Sequence, residues 1–361
     1  MTSSKIIVVI DAFTKGGAQK VLQILIAEWL KLSIKVELIL IQSSENELDL
    51  KQLEAIGLKV HRLNSKNTFS LSKFIKLYKI IRKSNPDQIH AHLYWSQIWC
   101  GCINILNNRA KIIWVEHNTY FNRTRVQWFF YKIISARAYK IIAVSIEVRK
   151  YLENRTMCST HVIFNPVAIQ HMNEIRDFSK PSFLFVGRLN KQKNPLLAVQ
   201  AFSYALKNNL IPVNSMFDFI GEGPLLSEIE TFIESNNLKK SVKIHGFLNS
   251  SEISKIYSRS ISLVSTSEFE GFSLARVEAV SSGCTVITTM TSGILGVLTK
   301  SDKYEDLFPG VFIVQSDEIE IANTLRESMK KVYWTTENIF QRKAISKNYD
   351  PKSIAAKYLI S

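Results

Sequence analysis

Two glutamates, Glu270 and Glu278, stand eight residues apart in the stretch SEFEGFSLARVEAVSSGC. The first lies in a Glu-Gly-Phe turn, and the second lies in a segment patterned as a helix. Eight helical residues rise about 12 Å, so such a pair can hold two ends of one elongated ligand. The backbone N–H groups of Gly271, Phe272, Ser273 and Leu274 are expected to point outward at the helix start, where a polyhydroxylated or anionic group can be met. A plain strand–turn–helix with two surface acids has the same pattern. A second group is cationic. FVGRLNKQKNP puts Arg188 and Lys193 just beyond the carboxyl end of the strand SFLFVG, where ligands of α/β proteins bind. A guanidinium and an ammonium there suit a diphosphate and the charge that grows on it as a bond to it breaks. The alternative is a solvated loop, since Lys191 is equally basic.

Gly16 and Gly17 follow the first apolar strand and open a helical pattern, where glycines let the backbone approach an anion closely. There is no G-x-G-x-x-G, so the nicotinamide and flavin fingerprint is absent. HAHLYWS and VEHNTYF each end an apolar strand with histidine. No Ser-His-Asp or Cys-His arrangement has supporting context, which argues against a hydrolase triad. No Asp-x-Asp follows a strand, and two fixed cations can replace a divalent ion. No metal and no cofactor is therefore expected.

Elements that position these groups alternate along the chain. IIVVI (6–10) precedes a helical pattern over 17–32 and the strand VELILI (36–41). QIHAH (88–92), KIIWVEH (111–117) and KIIAVS (140–145) read as further strands, with a helix around 95–106. After the break signal Asn165-Pro166 a second series opens with SFLFVG (182–187) and runs through strands 216–221, 242–246, 261–266 and 284–289, separated by helices. This alternation predicts α/β architecture with doubly wound parallel sheets. The expected division is a Rossmann-like domain over 1–170, a second over 171–340, and a C-terminal segment 341–361 with a helix after Pro351.

A length of 361 residues suggests two domains. With 46% hydrophobic and 21% charged residues, the chain has a globular composition with no disordered tract. Cys100, Cys102, Cys158 and Cys284 show no Cys-x-x-Cys spacing, so zinc and a disulfide framework are not expected and a reducing cytoplasm fits. The apolar run before Asp11 is too short for a signal peptide or a membrane span. Charge is uneven. Residues 1–170 carry 24 Lys and Arg against 11 Asp and Glu, a balance of +13, whereas the remainder carries 22 against 20, a balance of +2. The basic half is expected to meet an anion: a phospholipid surface, a lipid diphosphate or nucleic acid.

The Glu-x7-Glu segment resembles the signature of retaining nucleotide-sugar glycosyltransferases, particularly glycosyltransferase family 4. GRLNKQK is similar to that family's Gly-Arg-Leu-x-x-x-Lys-x-x, and GGAQKVLQ resembles its Gly-Gly-Ala-Glu opening, with Gln19 where the family usually has Glu. FIGEGPL (219–225) and KIHGFLNSSEI (243–253) also resemble it. Nearly the whole chain is covered, with the motifs in order. The loop after CTVITT departs: the family commonly has Gly-Gly-x-x-Glu, and TSGILGV here has no acid. The resemblance implies the GT-B fold, two Rossmann-like domains facing a cleft, with a C-terminal segment crossing back to the first. It implies a retaining transfer from a nucleotide diphosphate donor, a UDP-sugar, to a lipid-linked or polysaccharide acceptor.

In that reading Arg188 and Lys193 hold the diphosphate and Glu278 binds the ribose hydroxyls. Glu270 binds the sugar hydroxyls, and Gly246, Phe247 and Leu248 meet the edge of the base. Gly16 and Gly17 let the acceptor-side domain close on the phosphates. His117 faces the sugar near its anomeric carbon, while His92 and Tyr94 line the acceptor side.

The segment Phe69–Lys83, FSLSKFIKLYKIIRK, mixes Lys73, Lys76, Lys79 and Lys83 with aromatics, as a basic amphipathic helix on an anionic membrane does; YFNRTRVQWFFYKIISARAYK (120–140) repeats the mixture. The expected location is the cytoplasmic side, peripheral to the inner face of the cell membrane. Two other readings stay open. A nucleotide-sugar epimerase can share the GT-B fold. A nucleic-acid-binding protein would use the basic half, but no nucleic-acid motif is visible and nucleic acid is not the expected partner.

Overall fold

The computed structural model describes residues 5–13, 16–42, 47–63, 70–106, 109–118, 123–168, 176–301 and 303–359, the side chains of 47 and 48 excepted. Phe69, residues 120–122 and the expected boundary at 170/171 lie outside these. The chain forms two compact units: Met1–Pro166 with Tyr349–Ser361, and Val167–Asn348.

The first unit alternates β1 (Lys5–Ile10), α1 (Gly17–Lys31), β2 (Lys35–Leu40), α2 (Glu47–Ala55) and β3 (Lys59–Arg62). It continues with α3 (Leu71–Ser84), β4 (Gln88–His92), α4 (Tyr94–Leu106), β5 (Lys111–Glu116) and α5 (Arg125–Ser135). β6 (Lys140–Ala143), α6 (Ile146–Leu152) and β7 (Thr160–Val162) complete it. The strands pair in parallel in the order β3-β2-β1-β4-β5-β6-β7. Helices cover both faces of such a sheet, which is why IIVVI is an unbroken apolar run and Ile6 to Ile10 are fully buried.

The second unit runs β8 (Ser182–Val186), α7 (Pro195–Lys207), β9 (Met216–Ile220), α8 (Leu226–Ser235) and β10 (Val242–Ile244). It follows with α9 (Ser250–Arg259), β11 (Ser262–Ser265), α10 (Leu274–Ser281), β12 (Thr285–Thr289), β13 (Val311–Val314), α11 (Glu318–Ser328) and α12 (Thr336–Ala344). Its sheet order is β10-β9-β8-β11-β12-β13, again parallel. Strand order reverses between β1 and β4 in one unit and between β8 and β11 in the other. At such switch points the loops beyond the carboxyl ends part and leave a crevice.

The expected segment 341–361 is divided. Residues 341–348 stay with the second unit. Arg342 holds them there: its fully buried guanidinium donates to the carbonyls of Gly283, Pro309 and Tyr333 at 3.2, 2.8 and 2.9 Å. From Tyr349 the chain is part of the first unit, and α13 (Pro351–Tyr358) lies on α1. Asp350 caps α13 by accepting from the Ser353 N–H at 2.8 Å, and Pro351 presets its first turn. The buried Trp29 indole donates to the Ala355 carbonyl at 3.0 Å, and His90 lies edge-on to Trp29 and stacked on Tyr358.

The basic mixtures are resolved by helical phase. Lys76, Lys79 and Lys83 fall within about 60° of one another on α3 and are exposed. Lys73 falls outside that arc, on the stripe of Leu77 and Ile81, and is 2% exposed. It faces the core, so the expectation that it meets a membrane is wrong. On α5 a capping box joins Thr124 and Gln127, and Val126, Phe129, Phe130 and Ile133 lie exposed along one face. Arg123, just before, turns inward instead. Its guanidinium pairs with Glu116 at 3.1 Å and lies 4.3 to 4.9 Å from the ring centroids of Tyr94, Trp128 and Tyr131. Among the described residues no helix is long and apolar enough to cross a membrane.

Candidate active site

In the second unit the loops after β8 and β11 flank the switch point, and they carry GRLNKQK and SEFEGFS. They are tied together along their length. Gln192 donates to the Phe269 carbonyl at 3.0 Å and its own carbonyl accepts from the Glu268 N–H at 2.8 Å. The Thr266 hydroxyl is within bonding distance of the carbonyls of Lys193 and Asn194. Through this lacing Lys193 Nζ reaches Glu270 Oε1 and donates to it, while the Ser267 hydroxyl donates to the same oxygen at 3.0 Å. Lys193 and Glu270 are thus brought together, and Arg188 lies exposed on the same loop.

Glu278 sits on α10, 8% exposed, and accepts from the Tyr257 hydroxyl of α9 at 3.0 Å. Burial, and then the Glu278 carboxylate, hold the Tyr257 phenol well above its usual range. It therefore stays protonated and serves as a fixed donor.

The loop after β9 is part of the same block. The Leu189 N–H donates to the Glu222 carbonyl at 2.9 Å, and the Gly221 N–H donates to the Gly246 carbonyl at 2.8 Å. Any Cβ at Gly221 would stand 1.9 Å from the Gly187 oxygen, so only glycine allows this contact. Gly246 and Leu248 are partly exposed and the Phe247 ring is 61% exposed beside them.

The start of α10 differs from expectation. Gly271, Phe272 and Ser273 are buried, with Leu274 partly exposed, and do not form an open rim. The segment after β12 covers them: a Cβ at Gly293 would stand 2.9 Å from the Phe272 Cα. Fully buried Arg276 fixes that segment by donating to the Thr291 hydroxyl at 2.6 Å and the Ser292 carbonyl at 3.2 Å. The loop that lacks an acid is thereby given a place, against the Glu270 turn.

In the first unit the candidates sit at the carboxyl edge of the sheet. His92 ends β4 and His117 follows β5, its neighbour, and their Nδ1 and Nε2 atoms are 2.9 Å apart. His92 is fully buried, so it cannot itself line an acceptor surface as expected. Tyr94 is partly exposed: its hydroxyl donates to the Gln127 carbonyl at 3.2 Å and its ring lies against Tyr131. Gly16 precedes α1, and a Cβ at Gly17 would meet nothing within 4 Å. Gln19 donates to the Ala12 carbonyl at 3.1 Å, a bond the glutamate usual in the family could not make. Asp11, at the end of β1, accepts from the Trp95 and Ser96 N–H groups and the Ser96 hydroxyl, fixing the start of α4 beside these residues.

Sequence reasoning missed Tyr257, Arg276 and Asp11. Asp11 alone left a signal, an acid closing an apolar strand. Among the described residues no cluster of three His, Cys, Asp or Glu side chains has metal-binding spacing.

Two family models match end to end. Glycosyltransferase Family 4 matches residues 15–171, and Glycosyl transferases group 1 matches residues 170–347. The chain is a glycosyltransferase, built from one domain of each kind. This glycosyltransferase is 28% identical to an Escherichia coli UDP-Gal:alpha-D-GlcNAc-diphosphoundecaprenol alpha-1,3-galactosyltransferase, over 71% of its own length and 69% of that protein's. It is 23% identical to a Campylobacter jejuni GalNAc-alpha-(1->4)-GalNAc-alpha-(1->3)-diNAcBac-PP-undecaprenol alpha-1,4-N-acetyl-D-galactosaminyltransferase, over 98% and 97%. Among solved structures, Anabaena HepE in complex with UDP and glucose superposes with a TM-score of 0.79, at 17% identity and 98% coverage of both chains. That likeness establishes the GT-B fold for this glycosyltransferase.

Proposed function

We propose that this glycosyltransferase moves a sugar from a UDP-sugar to a lipid-linked or polysaccharide acceptor with retention of anomeric configuration. The observation that carries the reading is the contact of Lys193 with Glu270 at the switch point, a cation for the diphosphate against a carboxylate for the sugar. The names of the Escherichia coli and Campylobacter jejuni relatives, one naming UDP-Gal and both an undecaprenol-linked acceptor, support the donor and acceptor classes. Retention follows from the family resemblance.

Arg188 and Lys193 hold the diphosphate and stabilise the charge on it as the glycosyl bond breaks. Glu278, oriented by Tyr257, accepts from the ribose hydroxyls, and Glu270 accepts from hydroxyls of the sugar. The edge of the base meets the turn at Gly246, Phe247 and Leu248. His117 meets the sugar near its anomeric carbon. The acceptor hydroxyl attacks that carbon on the face the diphosphate leaves, and the leaving phosphate oxygen takes its proton.

The test is a thermal-shift panel of UDP, GDP and ADP with their common sugars. A ligand at 100 times its dissociation constant stabilises by about 2.7 kcal/mol. A response to GDP or ADP without one to UDP would reject the donor assignment, and release of UDP from a UDP-sugar without acceptor would reject the transfer.

Attachment to the inner face of the membrane is part of the same reading. The exposed Lys76, Lys79 and Lys83 of α3 supply charge, and the exposed Val126, Phe129, Phe130 and Ile133 of α5, with Arg125 and Lys132 alongside, supply apolar area. Each cation near an anionic surface contributes about 1 kcal/mol. Sedimentation with anionic vesicles should weaken on replacing Lys76, Lys79 and Lys83 by Ser, with UDP affinity unchanged. Equal sedimentation of variant and wild type would remove α3 from the contact.

A further inference from the structure

The two histidines at the carboxyl edge of the first sheet are placed so that the proton on one decides the proton on the other. His92 Nδ1 and His117 Nε2 are 2.9 Å apart, with the rings tilted 27° from parallel. The facing nitrogens can share only one proton, so one donates and the other accepts. The remaining nitrogen of His92, Nε2, is buried and has no hydrogen-bond partner. If Nε2 carried the ring proton, an N–H would be orphaned in the core, and buried donors are left unpaired more rarely than buried acceptors. With the proton on Nδ1, His92 donates to His117 and leaves a bare lone pair at Nε2. His117 Nε2 must then accept, and its own proton sits on Nδ1. Burial depresses both rings, His92 well below and His117 to about 4, so each is neutral near pH 7 and carries a single proton.

We propose that His92 is a positioning residue that locks His117 in its Nδ1–H tautomer, making the partly exposed imidazole a fixed hydrogen-bond donor to a ligand oxygen. Its function in transfer rests on the reading above that His117 meets the donor sugar, where an Nδ1–H can bond a hydroxyl or ring oxygen. A neutral imidazole free in solution favours the opposite tautomer, with hydrogen on Nε2, so the arrangement has to be imposed. In β4 the imposing group is fixed by the strand itself: the pairing of His92 with Val115 in β5 sets the register of the two rings. His90, two residues earlier, obeys the same rule. Its Nε2 is 3.2 Å from the Gln88 oxygen, which only accepts, and its buried Nδ1 is left bare.

The experiment is long-range proton–nitrogen correlation on protein with ¹⁵N-labelled histidine at pH 7.5, without ligand, the His117 signals being assigned by their loss in His117→Gln. Wild-type His117 should show a protonated Nδ1 and an unprotonated Nε2. His92→Leu should return His117 to the Nε2–H form, and His92→Asn, whose amide N–H stands near the former Nδ1, should keep the Nδ1–H form. An Nε2–H His117 in the wild type overturns the proposal even if the variants fail to fold, and so does an unchanged tautomer in a folded His92→Leu. With UDP-sugar and acceptor, His92→Leu should lower kcat about 10-fold, with kcat restored in His92→Asn. A tautomer that switches as expected while kcat stays constant would leave the lock in place and reject the contact of His117 with the sugar.

Discussion

Lys193 Nζ donates to Glu270 Oε1 across 77 residues of sequence. The two side chains belong to different strand–loop–helix units and meet because β8 and β11, which deliver them, are neighbours at the point where strand order reverses. Neither side chain reaches the other by chance of a mobile loop, since the Gln192 and Thr266 bonds fix both backbones. In the function proposed above, a diphosphate entering the crevice would compete for the Lys193 ammonium and release a carboxylate oxygen to a sugar hydroxyl.

Removing either cation should therefore act on turnover. Arg188→Ala and Lys193→Ala are each expected to lower kcat roughly 10²-fold, about 2.7 kcal/mol. The check is steady-state release of UDP, alongside thermal unfolding of both variants. Near-normal kcat in both would remove the cations from the chemistry.

The two glutamates should separate by ligand. Glu278→Gln should weaken binding of bare UDP, and Tyr257→Phe, which deletes a hydrogen bond to a buried carboxylate, should do the same by about 1.5 kcal/mol. Glu270→Gln should instead weaken the intact UDP-sugar more than UDP. Calorimetric titration of the three variants with both ligands decides, and the reverse ranking would exchange the roles of the two carboxylates.

Trp29 should be a large contributor to the first unit. It is fully buried between α1 and α13, donates to Ala355 and packs on His90 and Tyr358. Trp29→Ala is expected to cost about 3–5 kcal/mol. Urea unfolding followed by tryptophan fluorescence reads this unit, since of the six tryptophans only Trp334 belongs to the other.

Acid should weaken the same unit early. Burial lowers His90 to about 3, His117 to about 4 and His92 well below its usual range. In the unfolded chain these rings take up protons near pH 6.5, and in the folded chain they do not. Stability is thus full above about pH 6.5 and falls as pH drops toward 4 and 3. Between pH 7.5 and 5.5 each fully buried ring should remove roughly 1.4 kcal/mol. Glu37 does not contribute in that window: burial raises it, but bonds from Lys5, His61 and Ser84 outweigh this and hold it at about 2. Urea midpoints at the two pH values should differ less in His90→Phe than in the wild type, and an equal difference would exclude His90 as a source.

Much of the fold was legible because parallel strands covered on both faces must be apolar runs, and IIVVI and the FLFV of SFLFVG are such runs. α2 and β3 were not seen, since buried Leu50 and Leu53 are too few to mark a helical period. The donor-side motifs could be read as residue types at fixed spacing, but the direct contact of Lys193 with Glu270 depends on strand order, which spacing does not encode. Lys73 shows the same limit: a lysine aimed at the core is indistinguishable in composition from its exposed neighbours. Tyr257 acts through Glu278 from a separate helix, and nothing local to it marks that.

The return of the chain at Tyr349 makes the second unit a guest inserted into the first. During synthesis the guest is complete, from Val167 to Asn348, while its host still lacks α13. Trp29 waits for Ala355, made 326 residues later. The unit begun first is completed only after the second has been made, and until α13 emerges α1 lacks that part of its cover.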